Sequence, residues 1–231
     1  MRNKFIPILL GCLVFPAAAQ DDRSFDVIVS GGRVIDGTGN PWVLADVGIR
    51  EDRIARIGDL SDAVARRVIR ADGLVVAPGF IDPHTHAVRG IFDVPTANNY
   101  LLQGVTTITE GNDGSSPYPI GKHLEEIERL RISPNWAVFV GQGTIRREVL
   151  DLDDRAPTND ELDQMQKLVA EAMKQGALGL STGLFYVPGS FTSTEEVIAL
   201  SAVAANYQGI YISHMRDEAQ RLLESVRETI R

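Results

Sequence analysis

The first part of the chain alternates apolar and polar residues over short stretches, a pattern typical of β-strands. Residues 25–29 form one such stretch, and the pair Gly31-Gly32 that follows predicts a turn. Residues 47–58 predict a hairpin whose turn lies at Glu51-Asp52. We therefore expect residues 24–78 to form a small β-sheet layer, and such a layer needs another layer to pack against.

From residue 79 onward, apolar strands alternate with amphipathic helices. The strands lack polar alternation, as parallel strands covered on both faces do, and are Phe80–Asp82, Val105–Thr109, Trp136–Val140, Leu178–Leu180 and Ile210–Ser213. The helices are His123–Arg131, one opened by the capping box Thr158-x-x-Glu161, one opened by Ser193-x-x-Glu196, and Glu218–Ile230. Strand-helix units in this order predict an α/β fold, either a TIM-type barrel or a doubly wound sheet.

The barrel interpretation raises the question of completeness. A closed (β/α)₈ barrel has eight strands, whereas residues 79–231 supply about five strand-helix units and stop at Arg231 within a predicted helix. Either the sequence is an amino-terminal fragment of a longer protein, or a partner completes the sheet. We favour the fragment, and so expect an incomplete barrel.

The first 19 residues have the pattern of a secretory signal peptide. A short positive start at Met1-Arg2-Asn3-Lys4 precedes an apolar run over residues 5–15 and then small residues, with cleavage expected after Ala19. The run is too short to span a bilayer, so we expect a secreted or periplasmic protein without a membrane span. Cys12 is the only cysteine and would leave with the signal, so the mature protein would have neither a disulfide nor a thiolate metal ligand.

Composition excludes several classes of partner. The 231 residues carry a net charge of -8, and no run of Lys and Arg is longer than a pair, so no basic face for a nucleic acid is expected. The chain contains neither Gly-x-Gly-x-x-Gly after its first barrel strand nor Gly-x-x-x-x-Gly-Lys-Ser/Thr anywhere, which disfavours dinucleotide and nucleoside-triphosphate sites. The sequence carries no signal for oligomeric state.

Three of the four histidines lie where a barrel keeps its active site, at the carboxyl ends of strands. His84 and His86 follow the first barrel strand, and because alternate residues of an extended segment point the same way, both imidazoles can converge on one divalent metal. His214 follows the fifth strand. The fourth, His123, lies in a predicted helix, and we interpret it as a solvated or capping residue rather than a ligand.

A second cation beside such a pair would require a bridging anion. Asp113 and, as an alternative, Glu110 are the candidates, since both lie just beyond the second barrel strand. Asn112-Asp113-Gly114 is also ordinary turn chemistry, so a purely structural role for Asp113 stays open. A metal here would lower the pKa of a bound water towards about 7 and polarise a carbonyl, allowing amide or ester hydrolysis without a covalent intermediate.

Other hydrolytic chemistries fit less well. No Gly-x-Ser-x-Gly nucleophile elbow is present, which disfavours a catalytic serine. Paired carboxylates for glycoside cleavage would leave the His-x-His pair unexplained.

Several segments resemble a known family. Residues 77–86, Ala-Pro-Gly-Phe-Ile-Asp-Pro-His-Thr-His, look like the amidohydrolase superfamily. Residues 176–189, which contain Ser181-Thr182-Gly183-Leu184, are similar to a narrower signature, that of the N-acyl-D-amino-acid deacylases or D-aminoacylases. Residues 104–112 and 213–218 match the same family in order and spacing.

This resemblance implies a fold and a chemistry. It implies a (β/α)₈ barrel with a β-sandwich built from both chain ends, of which residues 24–78 would be the amino-terminal part. It implies metal-dependent hydrolysis of the amide bond of a small N-acyl-D-amino acid substrate, with one or two Zn²⁺ ions. His84 and His86 would bind the more buried metal and His214 the other, with Asp113 where the family commonly has a bridging cysteine.

The resemblance also assigns catalytic groups. Tyr186 would help to polarise the substrate carbonyl. A further histidine and the catalytic aspartate, the general base, would lie beyond Arg231, so this chain alone is expected to be inactive. Two alternatives remain: another exported amidohydrolase, such as an imidase, a dihydropyrimidinase-like enzyme or a dipeptidase, and a non-catalytic barrel scaffold.

Overall fold

The computed structural model describes residues 23–231, which form two compact units divided between Pro78 and Gly79. The predicted signal peptide, residues 1–19, lies outside the described residues. Within the described part of the chain, every helix is too short or too polar to cross a membrane.

The first unit is a five-stranded mixed sheet. Its strands are β1 Ser24–Val34, β2 Val43–Arg50, β3 Arg53–Gly58, β4 Val64–Arg70 and β5 Val75–Val76. The order is β3-β2-β1-β4, and β5 also pairs with β1. β2 pairs antiparallel with β3, which confirms the predicted hairpin, whereas β4 and β5 run parallel to β1.

The pair Gly31-Gly32 does not form the turn that its composition predicts. β1 continues through both residues and shifts register against β2 between Val29 and Gly32, which is a β-bulge. Gly31 has φ +74°, and its N–H donates to Asp46 Oδ1 at 2.8 Å. The positive φ of the bulge therefore explains the glycine that resembled a turn signal.

The core of the first unit is small. Phe25, Ile28 and Leu60 form a buried cluster. Other large apolar side chains of the sheet stay exposed, among them Leu44 at 73% and Ile54 at 63%. An apolar sheet face is stable only when another layer covers it. These exposed side chains therefore leave apolar surface on which a further layer could pack.

The second unit is built on parallel strands. They are β6 Phe80–Asp82, β7 Val105–Glu110, β8 Asn135–Val138, β9 Val140–Gly141, β10 Gly179–Gly183 and β11 Ile210–His214. β6, β7 and β8 form one sheet, and β9, β10 and β11 form another. The predicted third strand is divided at Phe139, whose N–H donates to the carbonyl of Glu110 at 2.8 Å. The five predicted strands are all present; β6 has the predicted ends, and the ends of the other four are shifted.

Helices follow these strands. They are α1 Asn98–Leu101, α2 Ile120–Leu130, α3 Gln142–Leu150, α4 Asn159–Lys174, α5 Thr194–Asn206 and α6 Leu222–Ile230. The capping box of Thr158 and Glu161 opens α4 as predicted, and Ser193 Oγ accepts from the N–H of Glu196 at the start of α5. α6 begins four residues later than predicted, because Asp217 Oδ1 accepts from the N–H groups of Ala219 and Arg221 in a local turn.

The core of the second unit lies between the strands and the helices. Val138, Leu180, Met165 and Leu200 are fully buried members of its largest apolar cluster. Every residue of β10 is buried, as expected for a parallel strand covered on both faces. The α/β class predicted from the sequence is confirmed, and the strand ends hold the residues described next.

Candidate metal centre

His84 and His86 lie just beyond the carboxyl end of β6. Their side chains are about half exposed, whereas Thr85 between them is buried. This alternation is that of an extended segment, in which residues i and i+2 share a side. The two imidazole rings meet edge to face, with centroids 5.5 Å apart. The structure therefore brings the predicted histidine pair together on one side of the chain.

Asp113 lies in a tight loop after β7, within Gly111-Asn112-Asp113-Gly114. Asp113 itself has φ +56°, a left-handed conformation that aspartate tolerates better than most residues. A Cβ atom at Gly111 would lie 2.1 Å from the carbonyl oxygen of Phe139, so only glycine fits there. The loop is thus turn chemistry, and the same turn holds the Asp113 carboxylate over the histidine pair.

The Asp113 carboxylate contacts both histidines. Its Oδ2 lies 3.4 Å from His84 Nε2 and 3.3 Å from His86 Nε2. The three ligand atoms all lie within 4.8 Å of one another. Two ligand atoms bound at about 2.0–2.1 Å to one tetrahedral zinc are about 3.3–3.4 Å apart, so the oxygen-nitrogen distances suit a shared ion.

His214, the last residue of β11, faces the other oxygen of the same carboxylate. Its Nδ1 lies 3.5 Å from Asp113 Oδ1 and 3.5 Å from the hydroxyl of Tyr186. The Tyr186 and His214 rings pack at a centroid distance of 4.7 Å. Asp113 therefore lies between the histidine pair on one side and His214 on the other.

One observation tests whether these residues fit a cation. Asp113 Oδ1 is buried and has no hydrogen-bond donor among the described residues. A buried carboxylate oxygen without a donor is costly unless a positive charge satisfies it. With imidazole nitrogens and carboxylate oxygens as the only ligand atoms, the donor set fits Zn²⁺.

Glu110 lies outside this group. Its Oε1 accepts from the Thr85 hydroxyl at 2.9 Å and from the N–H of Val88 at 3.1 Å. The side chain is buried, and burial raises the pKa of Glu110, although the hydrogen bonds from Thr85 and Val88 favour the ionised form. The structure thus turns Glu110 towards the backbone around His86.

His123 is away from the histidine pair, and the prediction that it is solvated or capping is wrong. It is buried in α2 and packs against Trp136 and Phe92, with ring centroids 5.6 and 6.2 Å away. Burial lowers the pKa of His123, because the charged imidazolium would lose its hydration. Its apolar neighbours make it a core histidine.

A cavity of about 780 Å³ opens beside the candidate ligands. His86, Asp113 and Tyr186 line it, and so do Arg89 and Arg147. Neither arginine makes an ion pair or a side-chain hydrogen bond within residues 23–231. The sequence did not predict a role for either arginine, although Arg89 lies only three residues after the candidate ligand His86.

A further buried network holds one wall of this cavity. Arg146 Nη1 lies 2.6 Å from Glu196 Oε2, and both side chains are buried. Gln142 Nε2 donates to Glu196 Oε1 at 3.0 Å and to Thr192 Oγ1 at 2.7 Å. The turn that ends at Thr192 includes Gly189, which lines the cavity. The sequence did not predict this network, because about fifty residues separate Gln142 and Arg146 from Thr192 and Glu196.

Comparison with known proteins agrees with this picture. A model described as the amidohydrolase family matches residues 67–229. The D-aminoacylase of Alcaligenes xylosoxydans xylosoxydans is 39% identical over 235 residues, covering 92% of this chain and 49% of the relative. The chain spans about half the length of the curated relatives it matches.

Two solved structures are similar as well. One is a D-aminoacylase with a binuclear metal centre, studied for one-metal activation and second-metal attenuation. It is 41% identical to this chain, with a TM-score of 0.83. The N-acyl-D-glutamate deacylase of Bordetella bronchiseptica, complexed with zinc and a phosphonate mimic of the tetrahedral intermediate, is 35% identical with a TM-score of 0.84. Each match covers 89% of this chain and 48% of the other.

Proposed function

The chain belongs to the amidohydrolase family, and on that premise we propose that the whole protein is a zinc-dependent deacylase of N-acyl-D-amino acids. The observation that carries the proposal is the group of His84, His86 and Asp113 beside a cavity, with His214 on the far side of Asp113. The similarity to D-aminoacylase and to N-acyl-D-glutamate deacylase supports the substrate class.

The candidate ligands have distinct tasks in this proposal. His84 and His86 offer one nitrogen each to the same ion, and Asp113 offers Oδ2 to that ion. Asp113 Oδ1 and His214 Nδ1 are available to a second ion. When bound, zinc supplies an activated water and polarises the carbonyl of the scissile amide.

Residues around the ligands would bind and orient the substrate. The Tyr186 hydroxyl, 3.5 Å from His214 Nδ1, is suited to donate a hydrogen bond to the substrate carbonyl oxygen. Arg89 and Arg147 line the same cavity and have free guanidinium groups, which suit the carboxylate that every N-acyl amino acid carries. We assign the general base to a part of the whole protein outside residues 23–231.

The architecture of the whole protein is part of the proposal. In chain order, β6, β7, the divided β8 and β9, β10 and β11 are parallel neighbours, an order that suits the first five strands of an eight-stranded barrel. The exposed apolar side chains of the first unit suit the amino-terminal layer of a composite β-sandwich. The signal-like pattern of residues 1–19 supports export to the periplasm or medium.

A direct assay tests the function. The gene would be expressed with whatever coding sequence follows residue 231, and zinc content and acetate release from N-acetyl-D- and N-acetyl-L-amino acids would be measured. We expect bound zinc and release from the D series. Release confined to the L series, or activity only on cyclic imides, would overturn the substrate assignment. Absence of both zinc and activity would overturn the enzyme and favour a non-catalytic scaffold.

A further inference from the structure

Thr85, between the two histidines, is fixed by hydrogen bonds from both its backbone and its hydroxyl. Its N–H donates to the carbonyl of Thr109 at 3.1 Å, and its own carbonyl accepts from Asn112 Nδ2 at 3.1 Å. Its hydroxyl lies 2.7 Å from the Thr109 carbonyl and 2.9 Å from Glu110 Oε1, and shares its one proton between them. Because Thr85 points away from the side of His84 and His86, these bonds fix the segment without touching either imidazole.

Glu110 ties down the segment on the other side of His86 as well. Its Oε1 accepts from the N–H of Val88, in the turn that follows His86, and from the hydroxyl of Thr85, which precedes it. One carboxylate oxygen therefore connects the backbone on both sides of His86 to the end of β7. A shift of the backbone at His86 would disturb these hydrogen bonds.

The burial of the Glu110 carboxylate is energetically unfavourable, so its presence at this position needs an explanation. Glu110 is only 2% exposed and has no Lys or Arg partner within the described residues. A buried carboxylate without a cation carries a desolvation penalty, so apolar packing alone would be served better by a valine or leucine. What the carboxylate provides here is an acceptor for two donors at once, both within two residues of His86.

We propose that Glu110 is a positioning residue that, with Thr85, preorganises His84 and His86 for metal binding. The proposal rests on the metal site of the proposed function. It gives Glu110 a role distinct from that of a bridging ligand. Ligand-orienting hydrogen bonds of this kind typically contribute about 10- to 100-fold in metal affinity.

Two variants test whether the hydrogen bond between Thr85 and Glu110 positions the histidines. Glu110→Leu removes the acceptor oxygens at similar volume, whereas Thr85→Val keeps the carboxylate and removes the hydroxyl donor. The chain also offers a matched control: Thr194 Oγ1 donates to Glu228 Oε1 at 2.7 Å, a Thr-Glu bond of the same kind that does not touch the candidate ligands. Thr194→Val removes that bond.

Zinc affinity is measured by competition with a chromophoric chelator, alongside the Co²⁺ absorption spectrum and urea unfolding of the metal-free protein. We expect E110L and T85V each to bind zinc about 10- to 100-fold more weakly, with the shape of the Co²⁺ spectrum retained. The double variant should lose less than the product of the two single losses, because both remove the same contact. T194V should bind zinc like the wild type.

Other outcomes would overturn the proposal. A changed Co²⁺ spectrum in E110L, with T85V unaffected, would make Glu110 a direct ligand. Wild-type zinc affinity in both variants, with only a loss of urea stability, would make the contact merely structural. If E110L does not fold, T85V decides by the same criterion. A wild-type protein that binds no zinc would instead overturn the proposed function, a result that no variant is needed to recognise.

Discussion

Breaking the buried ion pair of Arg146 and Glu196 should cause a large loss of stability. Arg146 is fully buried, and its Nη1 lies 2.6 Å from Glu196 Oε2. Its Nη2 donates to the backbone carbonyls of Asp153 and Arg155 at 3.1 and 2.6 Å. The substitution Arg146→Met fills much of the same space without charge, and therefore leaves a buried carboxylate without its cation and two carbonyls without a donor.

The magnitude follows from these losses. Removing one partner of a buried ion pair costs about 3–5 kcal/mol, because the remaining charge is uncompensated. The carbonyls of Asp153 and Arg155 belong to exposed residues, where water can replace the lost donor, so they add little to this cost. At about 2–4 °C per kcal/mol for a unit of this size, R146M should lower the melting temperature by roughly 6–20 °C.

Urea and thermal unfolding followed by circular dichroism measure the effect. The double variant R146M/E196L should recover much of the loss, because it removes both charges together. R155M is the control, since Arg155 pairs with Glu161 on the surface, where solvent screens the interaction, and it should be far milder. A loss below about 1 kcal/mol in R146M, the average for an ordinary substitution, would refute the assignment of a buried charge pair.

Three further predictions concern single residues. Burial lowers the pKa of His123, so the unfolded state, in which this imidazole has a pKa near 6.5, binds the proton more readily. The free energy of unfolding should therefore be greatest above pH 6.5 and fall below it. A wild-type-like pH dependence in H123F would exclude His123 as the cause. Tyr186→Phe in the whole protein should lower kcat by about 10²–10³-fold at unchanged zinc content, as loss of a hydrogen bond to a developing oxyanion does; unchanged kcat would remove Tyr186 from the reaction. Arg147→Gln should raise KM for N-acetyl-D-amino acids about 10-fold or more with little change in kcat, since one charge-assisted hydrogen bond contributes about 1.5–3 kcal/mol; an unchanged KM would locate carboxylate recognition elsewhere.

Local signals in the sequence predicted much of the fold. β6 has the predicted bounds, and the capping box at Thr158 opens α4 where the sequence indicates. These succeeded because each depends on neighbours in the chain: strand alternation, or a side chain that reaches three residues ahead. The placement of His214 at a strand end followed from counting strand-helix units, which is also local information.

Other features depend on contacts between distant residues, and these were missed. α3 was not predicted, because Arg146 interrupts its apolar pattern, and only the partner Glu196, fifty residues later, explains why an arginine is buried there. Gly31-Gly32 has the composition of a turn, but pairing with β2 continues through it as a bulge.

The candidate site likewise has features that follow from local sequence and features that depend on contacts between distant residues. The spacing of His84 and His86 predicted that their side chains would share one side, since that depends only on an extended backbone. The sequence favoured Asp113 over Glu110 as the bridging carboxylate but kept Glu110 as an alternative, and the structure separates the two. Asp113 points to the three histidines, whereas Glu110 points to Thr85 and Val88.

Zinc binding by the wild type and by Asp113→Ala is the decisive measurement for the metal centre, because Asp113 contacts the histidines on both sides of it. Stoichiometry and affinity are measured on the purified, metal-free proteins, with Asp163→Ala, a helix-surface carboxylate away from the site, as the control. The wild type and D163A should bind at least one zinc tightly, and D113A should lose stoichiometry, affinity or both. Zinc binding by D113A with wild-type stoichiometry and affinity would contradict the account.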